Sequence, residues 1–441
     1  RYQLTPEEGM ASKIPVTGGE TDAVTVMTYG FDPYYSEWSP FHGAYHAVVE
    51  SLLKLLAMGA DPLKARLTFQ EYFERMQSEE SWGKPTAALL GAYQAQLDYG
   101  TASIGGKDSM SGTFKDISVP PTLVSFAVAT TTADKVVSAA LSFPGQKVYA
   151  ISLRKDSVGL YARDHVLRVF KAVSEIGRRG QLLSSAVVRA GGIAARVAQM
   201  CMGNRLGFLF EDHLDMEYLF SRSMGVLLVS VQDRNAVDKL EMVGGRLIGT
   251  VTGSGALSWN GQLITLADAV QAFENRLEPI FPTAVEEETL RIPDIRGVAG
   301  IEPKPYKGSI RLVKPTVFIP VFPGTNCEYD SAAAFEKAGA AADVMVIRNL
   351  NSKDISESIS EMSRRIGKAG MIMLPGGFSG GDEPEGSAKF IAAAFRNPYI
   401  TEAVRSLLGK RDGLMLGICN GFQALMKLGL LPYGDILPLE N

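Results

Sequence analysis

The sequence predicts a multidomain protein of mixed α/β and α+β class. Three observations carry this. The chain has 441 residues, room for several domains of roughly 100 to 200 residues each. Its first 280 or so residues (about two domains' worth) mix β-rich runs with apolar helical ones. From residue 316 onward, strand and helix patterns alternate cleanly, the order that builds a parallel sheet with helices on both faces.

In order along the chain, "AVTVMTYGF" and "PTLVSFAVATT" read as strands, while "GAYHAVVESLLKLLAMGA" and "KPTAALLGAYQAQLDYG" read as helices. These define a first subdomain over 1–143. The pattern resets at Phe143, Pro144 and Gly145. A second subdomain over 144–283 follows: the strand "KVYAISL", a helix from Asp164 to Gly177, a turn at Gly191 and Gly192 with a helix behind it, and strands over 226–231 and 246–252. Trp259, Asn260, Gly261 and Gln262 close it with an Asn-Gly hairpin signal. Residues 284–315 hold Pro293, Pro303, Pro305, Pro315 and the acidic run Glu286, Glu287 and Glu288, a linker composition. The last domain, 316–441, carries the strands "TVFIPVF", "DVMVIR", "GMIMLP" and "GLMLGI", each followed by a helical run.

Hydrophobic residues at 46% and charged residues at 21% are ordinary for a globular protein. A net charge of -4 with no basic block argues against nucleic acid or an anionic membrane as partner. No apolar run approaches the roughly 20 residues needed to span a bilayer. Three scattered cysteines, Cys201, Cys327 and Cys419, argue against a disulfide framework and for a reducing, cytoplasmic setting. The sequence opens on Arg1 rather than Met, as a piece of a longer protein would.

Ligands of a parallel sheet sit at the carboxyl ends of its strands. Three Gly-rich turns fall there: "PGTN" at 323–326, "PGGF" at 375–378 and "GICNG" at 417–421. Gly417 and Gly421 allow a sharp strand-to-helix turn that exposes Cys419 at a helix N-terminus, where negative charge is favoured. The adjacent turn offers Gly377, and the helix offers Asn420, as backbone donors for an oxyanion hole. The alternative for Cys419 is a small buried hydrophobe.

In chain order, "FPGTNCEYD", "LPGGFSGGDE" and "GICNGFQAL" resemble the glutaminase domain of the phosphoribosylformylglycinamidine synthase family, whose glutaminases are class I glutamine amidotransferases. Upstream, "SPFHGAYHAVVESL", "RLTFQEYFE", "IGGKDSMSGTF" and "VPPTLVSFAV" are similar to the second aminoimidazole-ribonucleotide-synthetase-like repeat of the large single-chain enzymes. The resemblance implies one such repeat, in two subdomains, followed by the start of a doubly wound parallel-sheet glutaminase. It implies a purine-biosynthetic ligase in which glutamine supplies ammonia through Cys419, and ATP, with magnesium, activates formylglycinamide ribonucleotide. It also implies a first repeat preceding Arg1 as partner in the same chain. In the glycine-rich stretch at 105–109, it places Gly106 and Lys107 against ATP and Ser109 against substrate. Taken alone, that stretch also fits a Gly-Gly turn with a solvated Lys-Asp pair.

The sequence departs from the family pattern in two ways. The family's glutaminase base is a histidine, yet the four histidines are His42, His46, His165 and His213, so 316–441 has none. The expectation is an incomplete glutaminase and an inactive fragment. Some large members also hold a non-catalytic magnesium and ADP on the second repeat. Asp22 and Glu50 match two of its ligands, but Lys54 and Val187 stand where Asn and Asp are needed, and Arg189 replaces a serine. Neither lysine nor valine offers magnesium an oxygen. The expectation is therefore a metal-free site in which Lys54, with Arg189, faces Asp22 and Glu50. His42, His46 and Glu50 at four-residue spacing could ligate a metal only if all three were helical, and "SPFHG" reads as a loop in which His42 neighbours phosphate. A short, non-catalytic nucleotide-binding scaffold chain is the competing reading of the whole.

Overall fold

A computed structural model describes residues 4–16, 18–110, 112–283, 313–378 and 388–438. Residues 284–312 of the linker and the "SGGDE" stretch lie outside these. The chain divides into two compact units, Arg1–Arg291 and Ile292–Asn441.

Among the described residues, the first unit holds a two-stranded sheet, which pairs Thr113–Phe114 with Ile117–Ser118, and two large sheets. One has five strands in the order Gly9–Lys13, Ala23–Gly30, Thr122–Thr132, Arg66–Tyr72, Ser103–Ser109. Its pairs are antiparallel except the last, which is parallel. The other has seven, in the order Gln262–Thr265, Ala256–Trp259, Gly207–Phe210, Arg246–Thr252, Lys147–Ser152, Val226–Val231, Leu182–Val187. Asn260 and Gly261 take positive φ values of 47° and 75°, as the hairpin signal requires.

What joins the two sheets is the helix Pro40–Ala57. Ser39 caps it, accepting the His42 N–H, and Pro40 opens its first turn. Every residue from Gly43 to Ala57 is buried, so the helix is apolar nearly all round and must be covered on every side. Its leucines share one core with Val24, Val26, Leu67 and Phe69 of the first sheet and with Ile151, Val187, Leu227 and Val229 of the second. Close approach on two sides depends on glycine. A Cβ on Gly30 would lie 2.1 Å from the Ala47 carbonyl oxygen, and one on Gly91, in the helix Glu79–Tyr99, would lie 2.0 Å from that of Phe41.

In the second unit, four strands run in the order Ala341–Val346, Thr316–Val321, Met371–Leu374, Leu414–Gly417, all parallel. Alternation along the two central strands divides the core. Phe318, Ile372 and Leu374 face the helices Ser352–Ile366, Lys389–Phe395, Pro398–Arg405 and Asn420–Leu428. Val317, Ile319 and Met373 face Phe335 on the helix Glu328–Lys337. On the edge strand and just beyond it, Leu414, Leu416 and Ile418 alternate outward and remain half-exposed.

Two expectations change. The stretch 105–109 is most of an edge strand, Ser103–Ser109, rather than a turn. Gly106 is held by backbone contact: a Cβ there would meet the Phe69 carbonyl oxygen at 2.6 Å. His42 is helical, in the first turn of Pro40–Ala57.

Gly91→Ala tests the helix contact. Alanine favours an isolated helix by about 1 kcal/mol, yet here overpacking should destabilise by roughly 1 to 3 kcal/mol. The expected outcome is a lower denaturant midpoint for the first unit.

Candidate active site and buried charge cluster

In the parallel sheet Leu374 pairs with Gly417, so Gly376 and Cys419 stand two residues beyond matched strand ends. Backbone hydrogen bonds tie the three turns together. The Asn326 N–H donates to Gly376 O at 2.9 Å, the Phe378 N–H to Gly324 O at 2.7 Å, and the Ile418 N–H to Leu374 O at 3.1 Å. Thr325 and Gly377 form an isolated bridge whose bonds are carried by their neighbours, which turns the Gly377 N–H away from Thr325. Gly377 has φ 129°, and a Cβ there would lie 2.1 Å from Gly324 O.

Cys419 has φ 51° and ψ -110°, a sparsely populated conformation for a residue with a side chain. The surroundings impose it: a Cβ on Gly417 would meet Gly421 O at 2.5 Å, and one on Gly421 would meet Leu374 O at 2.0 Å. The chain must therefore turn sharply between them. The thiol is exposed at the N-cap of Asn420–Leu428, and a Cβ on Gly376 would stand 3.4 Å from Cys419 Cβ. Asn420 is buried, its side-chain amide donating to Gln423 Oε1 at 2.9 Å, and its N–H belongs to the first turn of the helix. This arrangement can present a nucleophile beside backbone donors. All four histidines lie in the first unit.

In the first unit, Gly106, Lys107 and Ser109 lie on the edge strand, where Gln70 pairs with Lys107, Glu71 with Asp108 and Tyr72 with Ser109. The pairing exposes a residue that sequence reasoning missed. Burial, and then the Asp108 charge, push the Glu71 carboxyl up to about 7. No spacing in "RLTFQEYFE" signals this; only the parallel register does.

The sites matched to the auxiliary metal are partly reassigned. The Asp22 side chain is exposed and pairs with Lys13, at 3.6 Å; it lies at the surface, whereas Glu50 is buried. Glu50 and Lys54 are buried together, Nζ to Oε1 at 2.6 Å, one helical turn apart. The Lys54 ammonium also donates to Tyr29 O at 2.7 Å and lies 4.4 Å from the Tyr29 ring centre. The other Glu50 oxygen accepts the Phe31 N–H at 3.1 Å. Burial draws the Lys54 ammonium below its usual range, with Glu50 opposing. His46 is buried beside them, its Nδ1 2.7 Å from Tyr161 Oη, and burial draws it down to about 4, so it is neutral. His42 engages Ser39 Oγ and the Val158 carbonyl. Among the described residues, no three acidic, Cys or His side chains gather as metal ligands. The residues present do not fit magnesium here: Val187 has no donor, and Glu50 already holds Lys54.

Comparison with known proteins gives a class first. Residues 314–441 match the CobB/CobQ-like glutamine amidotransferase domain, so the second unit is similar to glutamine amidotransferase domains. Its relatives are then particular: phosphoribosylformylglycinamidine synthase subunit PurQ of Methanococcus maripaludis, 39% identical over 128 residues, and that of Aquifex aeolicus, 37% over 121. These matches cover 28% and 27% of this chain and 42% and 44% of the relatives, so the chain spans less than half of their length. The resemblance to the phosphoribosylformylglycinamidine synthase family is borne out over this domain. Among solved structures, the PurLQS assembly from Thermotoga maritima matches 61% of this chain and 48% of its own, with TM-score 0.49 and 16% identity. Thermotoga maritima PurL complexed with FGAR matches 77% and 56%, with TM-score 0.48 and 15% identity. No helix among the described residues is long and apolar enough to cross a membrane.

Two predictions follow from these geometries. Gly421→Ala should destabilise the second unit by roughly 1 to 3 kcal/mol or more, whereas Gly409→Ala, where a Cβ meets nothing within 4 Å, should leave its denaturation midpoint nearly unchanged. For Glu71, the folded state retains a proton up to about pH 7 that the unfolded carboxyl releases near 4.5. Stability should therefore fall as pH rises through that window. Glu71→Gln removes this loss, so its melting temperature relative to the unsubstituted chain should be higher at pH 8 than at pH 5.

Proposed function

We propose that the chain is part of a large single-chain phosphoribosylformylglycinamidine synthase, divided as 1–143, 144–283, a linker at 284–315 and a glutaminase from 316. The observation that carries this reading is Cys419 at φ 51°, ψ -110°, in register with the Gly376–Gly377 turn. In the proposed reaction, Cys419 Sγ attacks the side-chain carbonyl of glutamine. The Gly377 and Asn420 N–H groups receive the oxyanion, the C–N bond breaks, and ammonia leaves a thioester. Water then cleaves the thioester to glutamate and frees Cys419.

The ammonia serves a second site in the synthetase half, where ATP activates the formamide oxygen of formylglycinamide ribonucleotide and ammonia displaces phosphate to give the amidine. This repeat contributes Gly106 and Lys107 toward ATP and Ser109 toward substrate, with Mg²⁺ as the ATP counter-ion; the rest of that site belongs to the first repeat. Three free cysteines suit a reducing cytoplasm.

The base that deprotonates Cys419 is not a histidine of 316–441, since none is present. We place it outside this sequence. The 441-residue fragment should then turn over neither glutamine nor formylglycinamide ribonucleotide.

Cys419→Ala in the full-length protein should abolish glutamine-dependent turnover and leave ammonia-dependent turnover within about twofold, as expected when only the nucleophile of one site is removed. Equal loss of both, with the fold intact, would refute the division of labour. A glutamine-like diazoketone should label Cys419 in the full-length protein, and peptide mapping should find Cys201 and Cys327 unlabelled.

A further inference from the structure

The first unit contains a group of buried charges that the proposed reaction does not use. Its centre is Glu8, which precedes the edge strand Gly9–Lys13 and is fully buried. Its carboxylate accepts the Val187 N–H at 2.8 Å, Arg189 Nη2 at 3.0 Å and Arg196 Nη2. Arg196 is itself buried, and Arg189 Nε approaches Glu50 at 3.9 Å. Lys54 adds a third cation. Burial pushes the Glu8 carboxyl up, but Arg196, Arg189 and Lys54 outweigh it and hold it below its usual range. Three cations thus face two carboxylates, Glu8 and Glu50. Among the described residues, the buried Nε–H groups of Arg189 and Arg196 have no hydrogen-bond acceptor, so the pocket has more donors than its own carboxylates use. Such a set recognises an anion, through guanidinium forks and a backbone N–H, and repels a cation.

The segment that carries this carboxylate is fastened by its neighbours to the helix Gly192–Met202 and to the stretch at 138–139. Thr5 Oγ1 donates to Gln199 O at 2.8 Å and accepts the Gly203 N–H at 2.9 Å, and Arg196 Nη2 reaches Pro6 O at 3.0 Å. Glu7 accepts from Ser138 Oγ and from the Ala139 N–H.

We infer that Val187, Arg189, Arg196 and Lys54 form an oxyanion-binding cradle that the chain fills with its own Glu8 carboxylate. This clamp locks residues 5–8 across the two sheets and, in the native chain, takes neither magnesium nor a nucleotide phosphate. The inference is independent of the glutaminase reading.

The test uses the full chain and inorganic phosphate as probe. Glu8→Ala empties the cradle, so its melting temperature should fall by several degrees. Phosphate on the order of 10 mM should restore part of that loss beyond what chloride of equal ionic strength does, as a ligand bound only to the folded state must. The unsubstituted chain should not respond to phosphate. A Glu8→Ala chain indifferent to phosphate would overturn the cradle. A second measurement stands if Glu8→Ala does not fold: calorimetric titration of the unsubstituted chain and of Arg189→Gln with MgADP. Equal heats in the two support the clamp, and binding that disappears in Arg189→Gln overturns it.

Discussion

A helix buried along its length cannot carry charge unless the charge is answered inside the protein, and the Pro40–Ala57 helix sets that condition for everything packed around it. Glu50 and Lys54 sit among leucines that are wholly inaccessible to water. Each ion alone would lose several kcal/mol of hydration, and stripping one partner from such a pair typically costs about 3 to 5 kcal/mol. The neighbouring elements are placed to prevent this: Tyr29 and Phe31 from the strand below, Arg189 from beyond the second sheet's edge strand, and Glu8 from the N-terminal segment. The first unit is thus specified by its ions as well as by its oil, since only one arrangement of the two sheets brings all of these to one point.

The second unit meets its own close-packing demand in the opposite way, by omission. Gly377, Gly417 and Gly421 have backbone oxygens where a Cβ would go, and the missing atoms let three turns crowd together at one end of a four-stranded sheet. Cys419 is left as the residue with a side chain in the tightest bend, so its thiol is exposed there rather than packed. The same economy appears at Gly30 and Gly91, where the reward is helix packing instead of an exposed nucleophile.

Much of this was legible in the sequence, for identifiable reasons. Each strand of the parallel sheet is a short apolar run bounded by a Gly-rich turn and followed by an amphipathic helix, so element order gave topology, and topology gave the position of Cys419 beside Gly376. The edge strand Ser103–Ser109 was hidden because Gly105, Gly106, Lys107 and Asp108 have turn-like propensities, overridden by parallel pairing with Arg66–Tyr72. Lys54 opposite Glu50 followed from helical spacing. Glu8 did not, because its partners lie some 180 residues further on and no local pattern connects them; Asp22 matched by motif but ends at the surface. Glu71 acquires its neighbour Asp108 only through strand register.

That register has a consequence for how the thiol and its donors are calibrated. Leu374 and Gly417 are paired neighbours on strands of four residues each, and a strand can shift only by whole residues, about 3.3 Å at a time. A single step would carry Gly376 past Cys419 and turn Ile372 and Leu374 out of their core. The spacing between nucleophile and donors therefore works like a ratchet with one usable tooth. Fine adjustment is left to the turns, and coarse error is forbidden by the hydrophobic core.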